Sequence, residues 1–430
     1  MSPTAIFASF GVYLVLTLPI GVAIGLGIMT YMYLAGQPFT YLVTNLFASG
    51  DSFPLLAIPF FILAGSLMEG GGLSRRLINF ANSIVGHMHG GLAIVAVITC
   101  LFFGAISGSG PATVAAIGGI IVPFMIKAGY PVPFSLSLVA ASGCLGVIIP
   151  PSIPMIMYSV ATGASVGTLF MAGFLPGILC AFFLCLAAYY ICRKKHYQDV
   201  SQIKFQWPVG FKTFREAVWA LLVPVIILGG IYGGIFTPTE AAVVAVFYGL
   251  LAGIFIYGEL NLKAIAKSLA SSSVTTATIL IIVTTGSTLG EVLTIHQVPR
   301  MVAEYILGLT DNPLVFLMLA NVFLLMVGCV LDTTAAILIL SPILFPVAAA
   351  YGIHIIHFGL IMVINMAIGM VTPPVGLNLF TAKSLADVSL ERLSYAVLPF
   401  LGMLIISLLF ISYVADIGLL IPKIFGKIPW

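Results

Sequence analysis

Four short polar segments interrupt otherwise apolar runs, and their residue types are those that bind small ions. They are residues 107–111 (SGSGP), 143–152, 328–334 and 369–378. Unwound backbone exposes carbonyl oxygens that suit a small cation, and the N-terminal ends of short helices present N–H groups to an anion. We therefore expect the four segments to converge on a site for Na⁺ and a carboxylate substrate.

The charges in these segments limit the chemistry. Asp332 is their only acid, and they contain no Arg or Lys. An acid at membrane depth favours a functional role, and the alternative is an N-cap for the following helix; the two roles are compatible. Without a basic side chain, an anionic substrate would be neutralised by bound cations and backbone dipoles. This pattern favours ion-coupled uptake over anion exchange.

The composition indicates an integral membrane protein. Of 430 residues, 61% are hydrophobic and 7% are charged, against roughly 25% charged residues in soluble domains. The formal net charge is only +3, and no basic patch suggests nucleic acid. The six cysteines form no CxxC pair, which is typical of free buried thiols. There is no GxxxxGK[ST] phosphate loop to draw on ATP, and no strand precedes residues 107–110 to make a nucleophile elbow. A soluble enzyme is excluded.

A membrane span needs about 20 apolar residues, and two regions do not fit that rule. Residues 91–128 and 314–350 are each interrupted near the middle, so each is predicted to be a re-entrant helical hairpin. Broken helices are predicted at 134–160 and 358–382, and a basic cytoplasmic linker at 193–217. The other predicted spans are 5–34, 54–70, 169–192, 218–236, 240–258, 274–290 and 395–421.

The second half of the chain repeats the first. An offset of 223 residues (373 minus 150) aligns Pro150 and Pro151 with Pro373 and Pro374, and it aligns Ser109 with Asp332. The span count places the hairpins of residues 1–192 and 218–430 on opposite sides of the membrane. Such inverted repeats are the basis of many alternating-access transporters. The alternative is an old duplication kept only for packing, although helix-breaking prolines are costly in lipid unless the freed backbone is used.

Five motifs resemble the large membrane subunit of tripartite ATP-independent periplasmic (TRAP) transporters, and the likeness covers essentially the whole chain. They are residues 103–113 (FGAISGSGPAT), 146–152 (GVIIPPS), 236–241 (FTPTEA), 331–334 (LDTT) and 371–378 (VTPPVGLN). The resemblance is nearest to the sialic acid subgroup, with C4-dicarboxylate transport as the alternative. It implies an all-α elevator in the bacterial inner membrane with two hairpins and two broken helices, driven by Na⁺. It also implies a small four-helix membrane subunit and a soluble periplasmic protein that delivers substrate.

The resemblance further implies at least two Na⁺ ions, each between a hairpin tip and its broken helix. Carried onto this chain, the first ion's residues are Ser107, Ser109, Gly143, Gly146 and Val147. The second ion's residues are Gly328, Cys329, Asp332, Gly369 and Thr372. Substrate contacts are predicted at Ser109, Pro111, Thr113, Pro150, Pro151, Thr333, Thr334, Pro373, Pro374 and Asn378.

Two other functions remain open from the sequence. One is a stand-alone Na⁺/dicarboxylate or Na⁺/H⁺ carrier of related architecture, which would need no periplasmic protein. The other is a membrane subunit whose hairpins serve only as a scaffold. Because the chain begins at Met1 directly with the repeat, we expect the small subunit to be a separate chain. Neighbouring genes for a four-helix membrane protein and a secreted binding protein would favour the tripartite system.

Overall fold

The computed structural model describes residues 4–197 and 207–429 and shows an all-helical membrane protein. No β-strand occurs in these two ranges. Eight of their helices are long and apolar enough to cross a membrane, or nine if one bent pair counts as a single span. A helix satisfies its own backbone polar groups, which is the condition for crossing lipid. The predicted all-α membrane fold is confirmed.

The first half is a succession of short and long helices. Their bounds are α1 Thr4–Val15, α2 Ile20–Leu34, α3 Phe39–Gly50, α4 Ala57–Gly70, α5 Leu73–Val85, α6 Gly91–Ser107, α7 Gly110–Lys127, α8 Val132–Ser142, α9 Leu145–Ile148, α10 Ile153–Thr162 and α11 Val166–Lys195. We call α6 and α7 hairpin 1, and α8 to α10 the first broken helix. The axes of its two parts, 132–148 and 153–162, differ by 43°.

The second half has a similar order of elements. Their bounds are α12 Trp207–Tyr232, α13 Pro238–Leu251, α14 Leu262–Ile295, α15 Val298–Leu309, α16 Pro313–Gly328, α17 Thr333–Ala350, α18 Ile355–Gly369, α19 Leu377–Lys383, α20 Leu390–Tyr413 and α21 Asp416–Ile424. We call α16 and α17 hairpin 2, and α18 and α19 the second broken helix. Of the predicted linker, residues 198–206 lie outside the described ranges. The inversion of the two halves stays a prediction.

The N-terminal run differs from the single span predicted over 5–34. It is two helices, α1 and α2, joined by a turn in which Thr17 has a φ of 61°. The two helices pack against each other: the Tyr13 hydroxyl is 2.9 Å from the Thr30 hydroxyl, and a methyl group at Gly27 would lie 3.5 Å from Phe10 Cβ. The prediction was wrong because the turn, Thr-Leu-Pro at 17–19, carries no charge. A similar uncharged break separates α20 from α21.

Helix α14 packs against hairpin 2 and against helices of the first half. It packs against α2, α3, α4 and α17. At Gly286 an added methyl group would lie 3.1 Å from Leu338 Cβ in hairpin 2, so the two backbones approach closely. In the first half, a methyl group at Gly65 in α4 would lie 3.3 Å from Ser107 Cα in hairpin 1. Glycine thus allows α4 and α14 to contact the hairpins directly.

Candidate functional site

The tip of hairpin 1 is a compact turn closed by hydroxyl groups. Gly108 ends α6 with a φ of 62°, which favours glycine, and the extended Ser109 precedes α7. The Thr113 hydroxyl donates to the Ser109 carbonyl at 2.8 Å, and the Ser107 and Thr113 hydroxyls are 2.9 Å apart. Ser107 and Thr113 are buried. The tip therefore places carbonyl and hydroxyl oxygens close together.

Hairpin 1 contacts the first broken helix through glycine backbones. A methyl group at Gly104 would lie 2.8 Å from Gly146 Cα, and one at Gly146 would lie 2.7 Å from the Ser109 carbonyl oxygen. The Ile153 amide donates to the Gly108 carbonyl at 3.4 Å. These contacts bring three of the predicted residues for the first ion, Ser107, Ser109 and Gly146, to one place.

The break in the first broken helix follows from two prolines and a serine. Pro150 and Pro151, joined by a cis peptide bond, supply no N–H to continue the helix. The Ser152 hydroxyl donates to the Val147 carbonyl oxygen, and Ser152 also caps α10 by accepting from the Met155 amide at 3.4 Å. The Val147 carbonyl is thus turned out of the helical ladder and held by a hydroxyl.

The tip of hairpin 2 has Asp332 at the position that Ser109 holds in hairpin 1. Asp332 is the N-cap of α17, and its Oδ2 accepts from the Thr334 amide at 2.9 Å. The predicted capping role is confirmed. The carboxylate has further acceptor sites that this bond does not use, so a cation-binding role remains compatible with the cap. Asp332 is half-buried, and Thr333 and Thr334 beside it are buried.

Hairpin 2 contacts the second broken helix as hairpin 1 contacts the first. A methyl group at Gly369 would lie 2.5 Å from the Cα of Gly328, so the two backbones touch. Thr372 follows Gly369 by three residues, and its hydroxyl donates to the Ile368 carbonyl at 2.7 Å. The Cys329 thiol donates to Leu325 in its own helix at 3.0 Å, which turns it back along α16. Gly328, Gly369 and Thr372 therefore cluster near the tip.

The two tips face a common cavity of about 640 Å³. Its lining includes residues 108–111 of hairpin 1, residues 332–334 of hairpin 2, and Val147 and Met370 from the two breaks. The four polar segments predicted to converge each contribute to this cavity. The Thr333 hydroxyl is buried in this wall and has no hydrogen-bond partner among the described residues.

Other predicted residues lie away from the cavity. Among the described lining residues are Ser109, Pro111, Thr333 and Thr334, whereas the four prolines at 150, 151, 373 and 374 are not included. The Pro151 carbonyl lies behind the tip, near Gly108. Thr113 is fully buried inside hairpin 1, and Asn378 is fully buried beside Gly143. As placed here, these residues support the tips and breaks.

The opposite wall of the cavity was not predicted from the sequence. It consists of residues 19–22 at the start of α2 and residues of α14, including Thr275 and Thr278. A run of hydroxyl side chains, Ser271 to Ser273 followed by Thr275 and Thr276, lies in an otherwise apolar helix and was an available signal. Whether these hydroxyl groups line the cavity depends on which face of α14 lies towards the hairpin tips. That face is known only from the tertiary packing.

The charged side chains that line the cavity are those expected from the four polar segments. Its described lining has one acid, Asp332, and no Arg or Lys. Within residues 4–197 and 207–429, no three His, Cys, Asp or Glu side chains are placed so that they could hold a metal ion. A cation site at either tip therefore depends on carbonyl and hydroxyl oxygens together with the single carboxylate, a donor set that suits a hard cation such as Na⁺.

Comparison with known proteins decides the family. Residues 7–417 match the model of the tripartite ATP-independent periplasmic transporter, DctM component. The chain belongs to this family. It is therefore the large permease of a TRAP transporter, a multi-pass membrane protein and not an enzyme. The resemblance inferred from the five motifs is confirmed.

TRAP relatives with different named substrates are similarly close to this chain. The isethionate TRAP transporter permease protein DctMQ of Oleidesulfovibrio alaskensis is 44% identical over 96% of this chain, which spans 65% of that longer relative. The C4-dicarboxylate large permease DctM of Pseudomonas aeruginosa is 42% identical, covering 93% of each chain. The sialic acid large permease SiaM of Vibrio cholerae is 40% identical, covering 87% of each.

A solved structure supports the fold of this TRAP permease. The YdaH transporter of Alcanivorax borkumensis, described as having an unusual topology, matches with a TM-score of 0.63 over 90% of this chain and 89% of that one. The sequence identity is only 16%. The likeness therefore concerns the helical architecture.

Proposed function

We propose that this TRAP permease takes up an organic acid anion together with Na⁺, and that the cavity between the hairpin tips is the substrate site. The observation that carries the proposal is the shared cavity itself, with one carboxylate and no basic side chain in its described lining. An anion enters such a site favourably only when cations and helix N-termini balance its charge. The electrostatics of the site thus support coupling to a cation, which we propose is Na⁺.

Each hairpin tip would hold one Na⁺ against its broken helix. At the first tip, Ser107, Ser109 and Gly146 meet, with Gly143 and Val147 in the adjoining broken helix. At the second tip, Gly328 and Gly369 touch, with Asp332, Cys329 and Thr372 around them. Backbone carbonyls supply most of the oxygen ligands at both tips. This explains why glycine, which allows close backbone approach, is present on both sides of each contact.

Sialic acid is the substrate that we propose, with a C4-dicarboxylate as the second candidate. The cavity lining is mainly apolar, and its hydroxyl side chains, Ser109, Thr275, Thr278, Thr333 and Thr334, are the groups that we propose bind a polyhydroxylated acid. The sialic acid and C4-dicarboxylate permeases are similarly identical to this chain, so identity does not separate the two candidates. Competition between the two acids in the same uptake assay would do so.

The transport cycle that we propose is an elevator movement. The hairpins and broken helices would slide against α4 and α14, whose glycines at 65 and 286 permit direct backbone contact with the hairpins. A small four-helix membrane subunit would complete the membrane complex, and a periplasmic binding protein would deliver the substrate.

Reconstituted uptake tests this function. Proteoliposomes that contain the permease and its small subunit, supplied with the binding protein and an inward Na⁺ gradient, are expected to accumulate labelled sialic acid. Omitting the Na⁺ gradient, the binding protein or the small subunit should each reduce accumulation to background, because each is an obligatory part of the cycle. A gradient of choline in place of Na⁺ is the matched control. Full accumulation without Na⁺ would contradict the proposal.

A further inference from the structure

A buried polar bridge joins the two halves of the permease behind the cavity. Cys144 of the first broken helix donates its thiol hydrogen to the Ala367 carbonyl in α18, with Sγ 2.9 Å from the oxygen. Asn378 of α19 donates from Nδ2 to the Ala140 carbonyl at 3.2 Å, and lies 3.9 Å from Cys144 Sγ. All four residues are fully buried. Each half thus sends one side chain to the backbone of the other half.

Two glycines form the slot that holds the Asn378 amide. A methyl group at Gly110 would lie 3.0 Å from Oδ1, and one at Gly143 would lie 3.0 Å from Nδ2. Gly110 is the first residue of α7 at the tip of hairpin 1, and Gly143 is one of the residues predicted for the first ion. The amide therefore lies between the hairpin tip and the broken helix that together would bind this ion.

The backbone of Asn378 also shapes the second ion site. Its N–H donates to the Met370 carbonyl at 2.8 Å and so closes the loop of the second break. This loop contains Thr372 and begins directly after Gly369, two of the residues predicted for the second ion. One residue therefore touches both ion sites, the first through its side chain and the second through its backbone.

One atom of the bridge, Oδ1 of Asn378, accepts no hydrogen bond from the described residues. Because Nδ2 donates to the Ala140 carbonyl, the orientation of the amide is defined, and Oδ1 is buried without a hydrogen-bond partner. A buried acceptor without a partner is unfavourable. Helix α7 begins at Gly110, which lies beside this oxygen. The N–H groups in the first turn of a helix have no partner within that helix. A small shift of the hairpin tip towards Asn378 would satisfy both groups.

We propose that Asn378 and Cys144 are positioning residues that couple the two Na⁺ sites. Na⁺ at the first site draws the tip of hairpin 1 onto Asn378, and the fixed amide favours the loop geometry that binds Na⁺ at the second site. Since coupling between binding sites is reciprocal, Na⁺ at the second site would assist the first equally. This inference rests on the proposed function, because it requires both Na⁺ sites.

The test is the shape of the Na⁺ dependence in the complete membrane complex. Thermal stabilisation by Na⁺ and Na⁺-driven uptake are both expected to follow a Hill coefficient of about 2 in the native protein, the upper limit for two sites. Asn378→Leu keeps a similar size but removes the amide, and its Hill coefficient should fall to about 1. Cys144→Ala breaks the bridge from the other half and should act in the same direction. Cys100→Ala, which removes an equally buried thiol within α6, is the control.

The possible outcomes distinguish failure of the proposed coupling from failure of the proposed function. A Hill coefficient unchanged from native in both bridge variants, or a native value of 1, would overturn the coupling. A merely structural role would lower the melting temperature and leave the Hill coefficient as it is, so that result also counts against the proposal. Uptake and stability that do not respond to Na⁺ would instead refute the proposed function. If one variant fails to fold, the other still decides, because the two approach the bridge from opposite halves.

Discussion

Gly369→Ala is expected to reduce Na⁺-driven uptake about five- to a hundredfold. The added methyl group would lie 2.5 Å from the backbone of Gly328, where no side chain can move aside. Overpacking of this kind costs about 1–3 kcal/mol, and a tenfold effect corresponds to about 1.4 kcal/mol. The same strain would act on the proposed second ion site and on the proposed substrate site beside it. The initial uptake rate in proteoliposomes is the measurement, with protein amount normalised by quantitative blotting.

Gly119→Ala provides the matched control for this prediction. Gly119 lies inside α7, and a methyl group there would meet nothing within 4 Å. Alanine favours helix over glycine by about 0.8–1.0 kcal/mol, so this variant should transport normally and be slightly more stable. Gly146→Ala, the equivalent change in the first half, should behave like Gly369→Ala. Normal uptake by Gly369→Ala would show that the contact between hairpin 2 and its broken helix is not needed for transport.

Asp332→Asn is expected to raise the Na⁺ concentration for half-maximal uptake at least about tenfold, with the protein still folded. The amide oxygen keeps the N-cap bond to Thr334, because Asn and Asp are equally good caps. The variant loses the charge, and a unit charge about 4 Å from a cation contributes about 4 kcal/mol at an effective dielectric constant of about 20. Desolvation cancels part of this contribution. The Na⁺ dependence of uptake is the measurement, with the melting temperature as a check on folding.

Two further variants separate charge from capping at this position. Asp332→Ala removes both, so it should share the weakened Na⁺ dependence and also lose about 1 kcal/mol of stability. Asp387→Asn changes an exposed acid beyond α19 and should leave Na⁺ dependence unchanged. If Asp332→Asn has the native Na⁺ dependence, Asp332 is a cap alone and the second site relies on other oxygens.

Much of the fold could be predicted from the sequence. Interrupting a helix within the membrane is energetically unfavourable, so helix-breaking or polar residues in an apolar run indicate a real break. Gly108 and Pro111 in one apolar run, and Asp332 in the other, mark the places where the structure has hairpin turns. The boundary between α1 and α2 was missed since it carries no charge, and α14 proved longer than predicted. Its first part, 262–273, carries two lysines and several serines that lower its hydropathy, although it is helical.

The candidate site was predictable only in part, for a similar reason. Segments that must unwind are recognisable as clusters of Gly, Pro and Ser within otherwise apolar stretches of sequence. The hairpin tips and the helix breaks were therefore predicted correctly. Which side chains face the cavity depends on packing that the sequence does not reveal. Thr278 lines the cavity from a continuous helix, whereas Asn378, which was predicted to contact substrate, is buried between two glycines of the other half.

The most direct test of the account is to measure Na⁺ and substrate movement together. Proteoliposomes with the complete complex and binding protein would be given labelled Na⁺ and labelled sialic acid, and the initial influx of both compared with and without the acid. The acid is predicted to stimulate Na⁺ influx by at least about two ions per molecule of acid taken up, since one ion is proposed at each hairpin tip. Uptake of the acid with no accompanying Na⁺ influx would contradict it.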